Sequence, residues 1–329
     1  MKSNCLLGLL IIAVPFLSAG EQNLPRFVIT NMKIDRDHLQ GGKVEFHGQL
    51  KGSKEAATIL KNLEETNERR GWRRQYTVYR AEIANESDIQ TMADANSRKR
   101  LVHTPFFHEK VLLYMHGFNV PPKDVFKGCK YYTDKYKREV IPLLWVNEKS
   151  PFTYRRDRVL HSPSAAEAFR DKLEVAKNIK KSLLCHSMGN YVLRLAARTF
   201  TGPKPFEHIF MVAADVDHDI FDASQNNHSN PTENDGLEIM GMAEKKVHVL
   251  HSWKDVAMMV RPRLKRGLGA RGFRDTEKHP LHKSIKDGGR LVKHDCSRFS
   301  HEKDLLKNHG YQFNDDAIEY YEKFMDGLA

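Results

Sequence analysis

The sequence predicts an α/β protein built on a mostly parallel sheet with helices on both faces. Three observations carry that expectation. From Lys110 onward, short and nearly continuous apolar runs alternate with segments that repeat apolar residues at helical spacing. The runs lack the in-out alternation of a half-exposed strand, as expected of strands covered on both faces. The stretches between them are long enough for the helical crossovers that parallel neighbours require. The chain has 329 residues, a length that an α/β layer fold can hold in one unit.

Taken in order, Met1-Lys2 precedes the apolar run CLLGLLIIAVPFL and the small residues Ser18-Ala19-Gly20. This pattern reads as a secretory signal peptide over residues 1–20 and implies a periplasmic or secreted destination; the run is too short for a confident membrane span. Residues 21–109 read as an N-terminal extension with early strands of the sheet. Within it, FVIT (Phe27–Thr30) and KVEFHGQL (Lys43–Leu50) are strand-like, Ser53 to Arg69 is charged and helix-like, and YTVYRAEI (Tyr76–Ile83) returns to a strand. The core, 110–329, opens with the strand KVLLYMHG (Lys110–Gly117). A helix from Pro122 to Lys137, the strand VIPLLW (Val140–Trp145) and a helix over Ser164–Ile179 follow, the last with Pro163 just before it. Then come the strand SLLCHS (Ser182–Ser187), the helix Met188–Phe200, and the strands EHIFMVAAD (Glu207–Asp215) and KVHVLHS (Lys246–Ser252). An amphipathic helix over Asp315–Met325 closes the chain.

Lys plus Arg exceed Asp plus Glu by 11. Such a surplus suits anionic partners, but the basic residues are scattered and form no recognisable nucleic-acid module. Nucleic acid is therefore not expected; peripheral contact with anionic surfaces is left open, as is the oligomeric state. Past the signal segment the cysteines are Cys129, Cys185 and Cys296, an odd number that makes no disulfide framework. No His/Cys cluster has zinc-site spacing, so no metal is expected.

The chemistry concentrates in LLCHSMGN, Leu183 to Asn190. A serine at a tight strand-to-helix turn lifts its hydroxyl above the sheet and aims the first amides of the next helix at the same spot. Residues two before and two after it must be small; here Gly189 satisfies the second place and Cys185 stands in the first. In YMHGFN (Tyr114–Asn119) a histidine–glycine pair ends an earlier strand seventy residues upstream of Ser187. The loop after such a strand commonly supplies one amide of an oxyanion hole, so Phe118 N–H and Met188 N–H are the candidate donors. A serine also needs a base and an acid to orient it, in the order Ser, Asp, His along the chain. Asp255, in HSWKDVA, lies just beyond a late strand; Asp215 and Asp217, in AADVDHD, are the runners-up. Among His294, His301 and His309, the last sits in a loop ahead of the final helix and is selected by position.

With these residues in view, the chain resembles the alpha/beta-hydrolase family of unknown function, a set of esterase- and lipase-like proteins. VLLYMHGFNV (Val111–Val120) and LLCHSMGNYVL (Leu183–Leu193) are the specific matches. LLWVNEKSPFTYRRD (Leu143–Asp157), VAADVDHDIF, HSWKDVAM, RGLG (Arg266–Gly269) and NHGYQF (Asn308–Phe313) support them. The resemblance implies the alpha/beta-hydrolase fold, with Ser187 as nucleophile, Asp255 as acid, His309 as base and Phe118 and Met188 at the oxyanion hole. Two departures stand out: Cys185 in place of a small Ala or Gly, and Trp145-Val146-Asn147 in place of Trp-Pro-Ser.

The function expected is hydrolysis of carboxylic esters, small-molecule or lipid, through an acyl-enzyme and with no cofactor. Acyl transfer on the same residues and a non-catalytic envelope binding protein are the alternatives. Phe221 to Glu244 and Arg261 to Gly289 are expected to be lids or binding walls.

Overall fold

The computed structural model describes residues 24–32, 43–44, 46, 57–69, 75–88, 111–136, 138–147, 153–175, 181–223, 235–259, 267–276, 280–299, 307–317, 319 and 323. The expected signal segment lies outside them. Ten strands are described: β1 (Phe27–Thr30), β2 (Lys43–Val44), β3 (Thr58–Arg69), β4 (Gln75–Ile83), β5 (Val111–Met115), β6 (Glu139–Leu144), β7 (Lys181–His186), β8 (Phe206–Val212), β9 (Ala243–His251) and β10 (Leu291–Asp295). They form one sheet in the order β10-β9-β8-β7-β5-β6-β1-β3-β4-β2. From β10 to β1 every pairing is parallel, and β3, β4 and β2 complete the sheet as antiparallel ribbons.

The central strands are buried along their whole length, and their side chains divide between two cores. Val111, Leu113 and Met115 of β5 face one core, Leu112 and Tyr114 the other. Helix α1 (Pro122–Tyr136) covers the second face with Val125, Phe126, Cys129, Tyr132 and Tyr136, a stripe at spacings of one, three and four. Pro122 opens that helix, where its missing N–H costs nothing, and Asp124 and Lys135 match the helix dipole at the two ends. Helices α2 (Ser162–Val175), α3 (Gly189–Ala197) and α4 (Asp235–Met242) cover the first face. Asp235, buried, takes hydrogen bonds from Arg194 Nε at 2.5 Å and Arg198 Nε at 2.6 Å and ties α4 to α3.

The chain runs from β5 out to β6 on one side, then returns past β5 to β7 on the other. Strand order reverses there, and the crevice at the carboxyl ends of β5 and β7 is where an open α/β sheet binds its ligands. His116 leaves β5 and Ser187 leaves β7 at that crevice.

Several elements differ from the sequence expectation. Of the charged segment from Ser53 to Arg69, Thr58–Arg69 is the strand β3 rather than helix, and residues 53–56 lie outside the described residues. It pairs with β1 and β4 on its two sides, and a register shift between Lys61 and Glu64, at positive-φ Asn62, accompanies it. Ile59 and Leu60 pack into opposite cores, so sheet context overrode a helix-forming composition. Of the expected strand Lys43–Leu50, only Lys43–Val44 is described as strand. Helix α2 begins at Ser162, so Pro163 is inside its first turn, and a π-helical turn, Asp157–His161, precedes it. Helix α4 and strand β10 were not expected at all, and β9 starts at Ala243. Of the closing helix, Asp315–Ala317 is described as helical.

Candidate functional site

Strand β7 hands over to α3 through a single strained residue. Ser187 has φ of +52°, a value that non-glycine residues rarely adopt and that a nucleophile elbow requires. Its N–H donates to the Val212 carbonyl at 3.0 Å. Its own carbonyl accepts from the Asp215 and Asn190 amides at 3.1 and 3.0 Å. The buried Asn190 side chain donates Nδ2 to the carbonyls of Cys185, Ser187 and Val212 at 3.0 to 3.2 Å, stapling the turn to β8. Sequence reasoning missed this asparagine. Its signal is a polar side chain in the first turn of a helix, where it competes for backbone partners. Gly189 is required by contact: a Cβ there would lie 2.6 Å from the Met115 carbonyl oxygen and 2.8 Å from that of His116. Cys185, the departure from the usual pattern, is fully buried in register with Met115 of β5, and burial pushes its thiol pKa well up.

Two main-chain amides frame the serine. The N–H groups of Phe118 and Met188 donate to no backbone carbonyl among the described residues. The loop carrying Phe118 abuts the elbow, because a Cβ on Gly117 would lie 2.9 Å from Ser187 Cβ. His116 fixes its direction. The His116 ring donates Nδ1–H to the Gly117 carbonyl at 2.8 Å and accepts from Trp145 N–H through Nε2 at 3.2 Å. In a trans peptide the carbonyl and the next N–H point opposite ways, so holding Gly117 O sets the heading of Phe118 N–H. Trp145 stacks on the His116 ring at 5.4 Å and donates Nε1–H to the His116 carbonyl at 3.0 Å. Burial lowers the His116 pKa to about 4, which keeps the ring in this neutral form.

Across the same rim, His309 donates Nδ1–H to both carboxylate oxygens of Asp255, at 2.9 and 3.1 Å. Both residues are buried. Burial works against the imidazolium, but the charge and hydrogen bond of Asp255, and the more distant charge of Asp215, outweigh it and raise the His309 pKa above 6.5. With Nδ1 protonated, the neutral ring keeps its lone pair on Nε2, the form a general base needs. The His309 backbone is fixed to the elbow: His186, the residue before Ser187, donates Nε2–H to the His309 carbonyl at 3.0 Å, and the two rings lie 4.8 Å apart. Two residues on, buried Tyr311 donates its hydroxyl to the Leu250 carbonyl at 2.6 Å and accepts from Ala213 N–H at 2.9 Å. That pins the His309 loop to the ends of β8 and β9. The Ser187 hydroxyl and the His309 ring share this rim without a hydrogen bond between them. Such bonds are often long before substrate binds.

The other sequence candidates have different surroundings. Asp215 carries a buried carboxylate that accepts from Tyr154 Oη and, at 3.1 Å, from Arg158 Nη1. The Arg158 guanidinium in turn stacks 3.8 Å from the Tyr191 ring centre. Asp217 is half-buried and bridges to Gly267. His294 lies in β10 and belongs to a buried row across three strands, in which His208, His248 and His294 are joined ring to ring at 3.1 and 3.0 Å. His301 lies outside the described residues. The RGLG stretch is a brace: Leu268 and Gly269 donate to the Val216 and Ala214 carbonyls, and the Gly269 carbonyl accepts from Ser252 N–H. Among the described residues no group of three His, Cys, Asp or Glu side chains could hold a metal ion.

Residues 91–319 match the family model described as "Alpha/beta hydrolase of unknown function (DUF900)". The chain belongs to this family. Membership makes it a hydrolase of the alpha/beta class, and the observed sheet agrees with that fold. Solved structures similar to this hydrolase include an alpha/beta-superfamily hydrolase from Xanthomonas campestris pv. campestris, at 13% identity and a TM-score of 0.32, covering 66% of this chain and 98% of that one. MenH from S. aureus matches at 12% identity and a TM-score of 0.32, covering 66% and 92%. An acylaminoacyl peptidase from Pyrococcus horikoshii matches at 11% identity and a TM-score of 0.36, covering 81% and 42%. Likeness at this level carries nothing about substrate. A search of curated proteins returned no match.

Proposed function

We propose that this hydrolase cleaves carboxylic esters through an acyl-enzyme on Ser187. The observation that carries the reading is the meeting, at one rim of the sheet, of a positive-φ serine elbow and a buried Asp255–His309 pair, with the His186 ring donating across to the His309 carbonyl. In the first half-reaction Ser187 Oγ attacks the ester carbonyl while His309 Nε2 takes its proton. Asp255 holds the resulting imidazolium, and the amides of Met188 and Phe118 receive the oxyanion. Loss of one such donor typically costs about 10²–10³ in rate. The intermediate collapses with transfer of the His309 proton to the leaving alcohol. Water then adds to the acyl carbonyl, again losing a proton to His309, and Ser187 is regenerated.

The test is Ser187→Ala, compared with the unaltered protein in turnover of p-nitrophenyl esters of graded chain length and in labelling by a fluorophosphonate. Loss of turnover and of label is expected. Turnover that survives in the variant removes the serine from the mechanism.

A further inference from the structure

Four large apolar side chains are more than half exposed among the described residues: Ile83, Val159, Leu160 and Trp253. Three of them stand at the carboxyl end of the parallel sheet, where the site lies. Val159 and Leu160 are on the π-helical turn Asp157–His161 that leads into α2, and Trp253 is on the loop that leaves β9. Each is accompanied by cations. Arg155 and Arg156 are exposed on the same helical face as Val159 and Leu160, one turn away, and Lys254 Nζ sits 5.5 Å from the Trp253 ring centre.

Both segments turn their carboxylates inward. Asp157, the only acidic residue between Thr153 and Pro163, is fully buried, and so is Asp255, the only one between His251 and Met259. What these segments present outward is therefore apolar and positive. Arg158, just before Val159, holds Asp215 beyond the end of β8, and Trp253 leaves β9, the neighbour of β8, so both segments stand on the rim that carries Ser187. Scattered apolar residues on a surface mean little. Aliphatic and tryptophan side chains interleaved with cations are what the headgroup region of an anionic bilayer attracts.

We infer that this rim docks on an anionic phospholipid surface through Val159, Leu160 and Trp253, steered by Arg155, Arg156 and Lys254, and presents the site to esters held there. The inference rests on the ester-hydrolase reading for its substrate but not for its docking, and the two are measured separately.

The experiment is co-sedimentation of the full chain with vesicles of equimolar phosphatidylglycerol and phosphatidylcholine, and with phosphatidylcholine alone. The unaltered protein should sediment with the first at low salt, not with the second. Trp253 emission, taken by difference from Trp253→Phe, should shift to the blue. Each cation near such a surface is worth about fivefold in binding, so Arg155→Glu/Arg156→Glu should weaken it at least roughly twentyfold. Val159→Ser/Leu160→Ser should weaken it at unchanged charge. All variants should keep the wild-type turnover of a short soluble ester, a readout that reports on the Ser187 reading alone. Failure of the unaltered protein to bind anionic vesicles, equal capture by both vesicle types, or variants that bind as it does would each overturn the inference. Loss of self-association in Val159→Ser/Leu160→Ser, with vesicle binding intact, would overturn it too and assign the patch to a second copy of the chain.

Discussion

Replacing Gly189 by alanine tests how closely the elbow depends on the contact between α3 and β5. The added Cβ would sit 2.6 Å from Met115 O and 2.8 Å from His116 O, where ordinary contact begins at 3.4 Å. Backbone carbonyls of a central strand have nowhere to retreat, so α3 must move outward by about 0.8 Å at its first residue. Overpacking of this kind costs about 1–3 kcal/mol. The displaced peptide carries Met188 N–H away from the oxyanion position and disturbs the His116 carbonyl that Trp145 Nε1 holds at 3.0 Å. A misplacement near 1 Å at reacting groups costs about 10²-fold. Gly189→Ala should therefore fold, melt several degrees lower, and lose about two orders of magnitude in kcat on a soluble ester. Gly241→Ala is the internal control. It is in α4, a Cβ there meets nothing within 4 Å, and the change should leave kcat alone and slightly raise the melting temperature. A Gly189→Ala protein with wild-type kcat and melting temperature would refute the reasoning, because the close approach would then not constrain the elbow.

Other outcomes follow from the buried titratable groups and the pins around them. Asp255→Asn should lower kcat by about 10³–10⁴. Because the carboxylate raises the His309 pKa, the same change should move the acid limb of the pH–rate profile to lower pH; an unmoved limb would detach Asp255 from the base. His116, His186, His248 and His294 have pKa values lowered chiefly by burial, to about 4, 3, 2 and 4. Each is neutral in both folded and unfolded chains above pH 6.5. As pH falls below that value the unfolded chain takes up protons that the folded one refuses, so each costs up to about 1.4 kcal/mol of stability per pH unit down to its folded pKa. Urea midpoints should fall steeply between pH 6 and 5; a flat profile there would contradict the burial of these rings. Tyr311→Phe removes two hydrogen bonds that anchor the His309 loop and should cost about 1–3 kcal/mol in urea unfolding, with kcat falling more than KM changes.

What could be read from the chain alone was what depends on neighbouring residues. The buried runs of β5 and β7, the serine between strand and helix, and Gly189 all follow from local spacing and size. What escaped depends on partners distant in sequence. β3 looks helical because leucine, glutamate, lysine and arginine make up most of it, and only its pairing to β1 and β4 makes it a strand. β10 carries Lys293, His294 and Asp295 on the edge of the sheet and lacks the apolar continuity that marks the inner strands. His186 reads as one residue of a motif. Its hydrogen bond reaches 123 residues along the chain to His309, which no local pattern records. Trp145 was visible as the first residue of the Trp-Val-Asn that stands in place of Trp-Pro-Ser, whereas its task, holding His116 from two directions, needed the third dimension.

Cys185 stands two places before Ser187, sealed from solvent and with its thiolate disfavoured. A sulfhydryl so placed is silent to alkylating reagents while the turn is intact and becomes reactive only when that turn opens. The rate at which iodoacetamide reaches it in native buffer is thus a clock for breathing of the elbow. Cys129, equally enclosed on the inner side of α1, times the opposite face of the sheet.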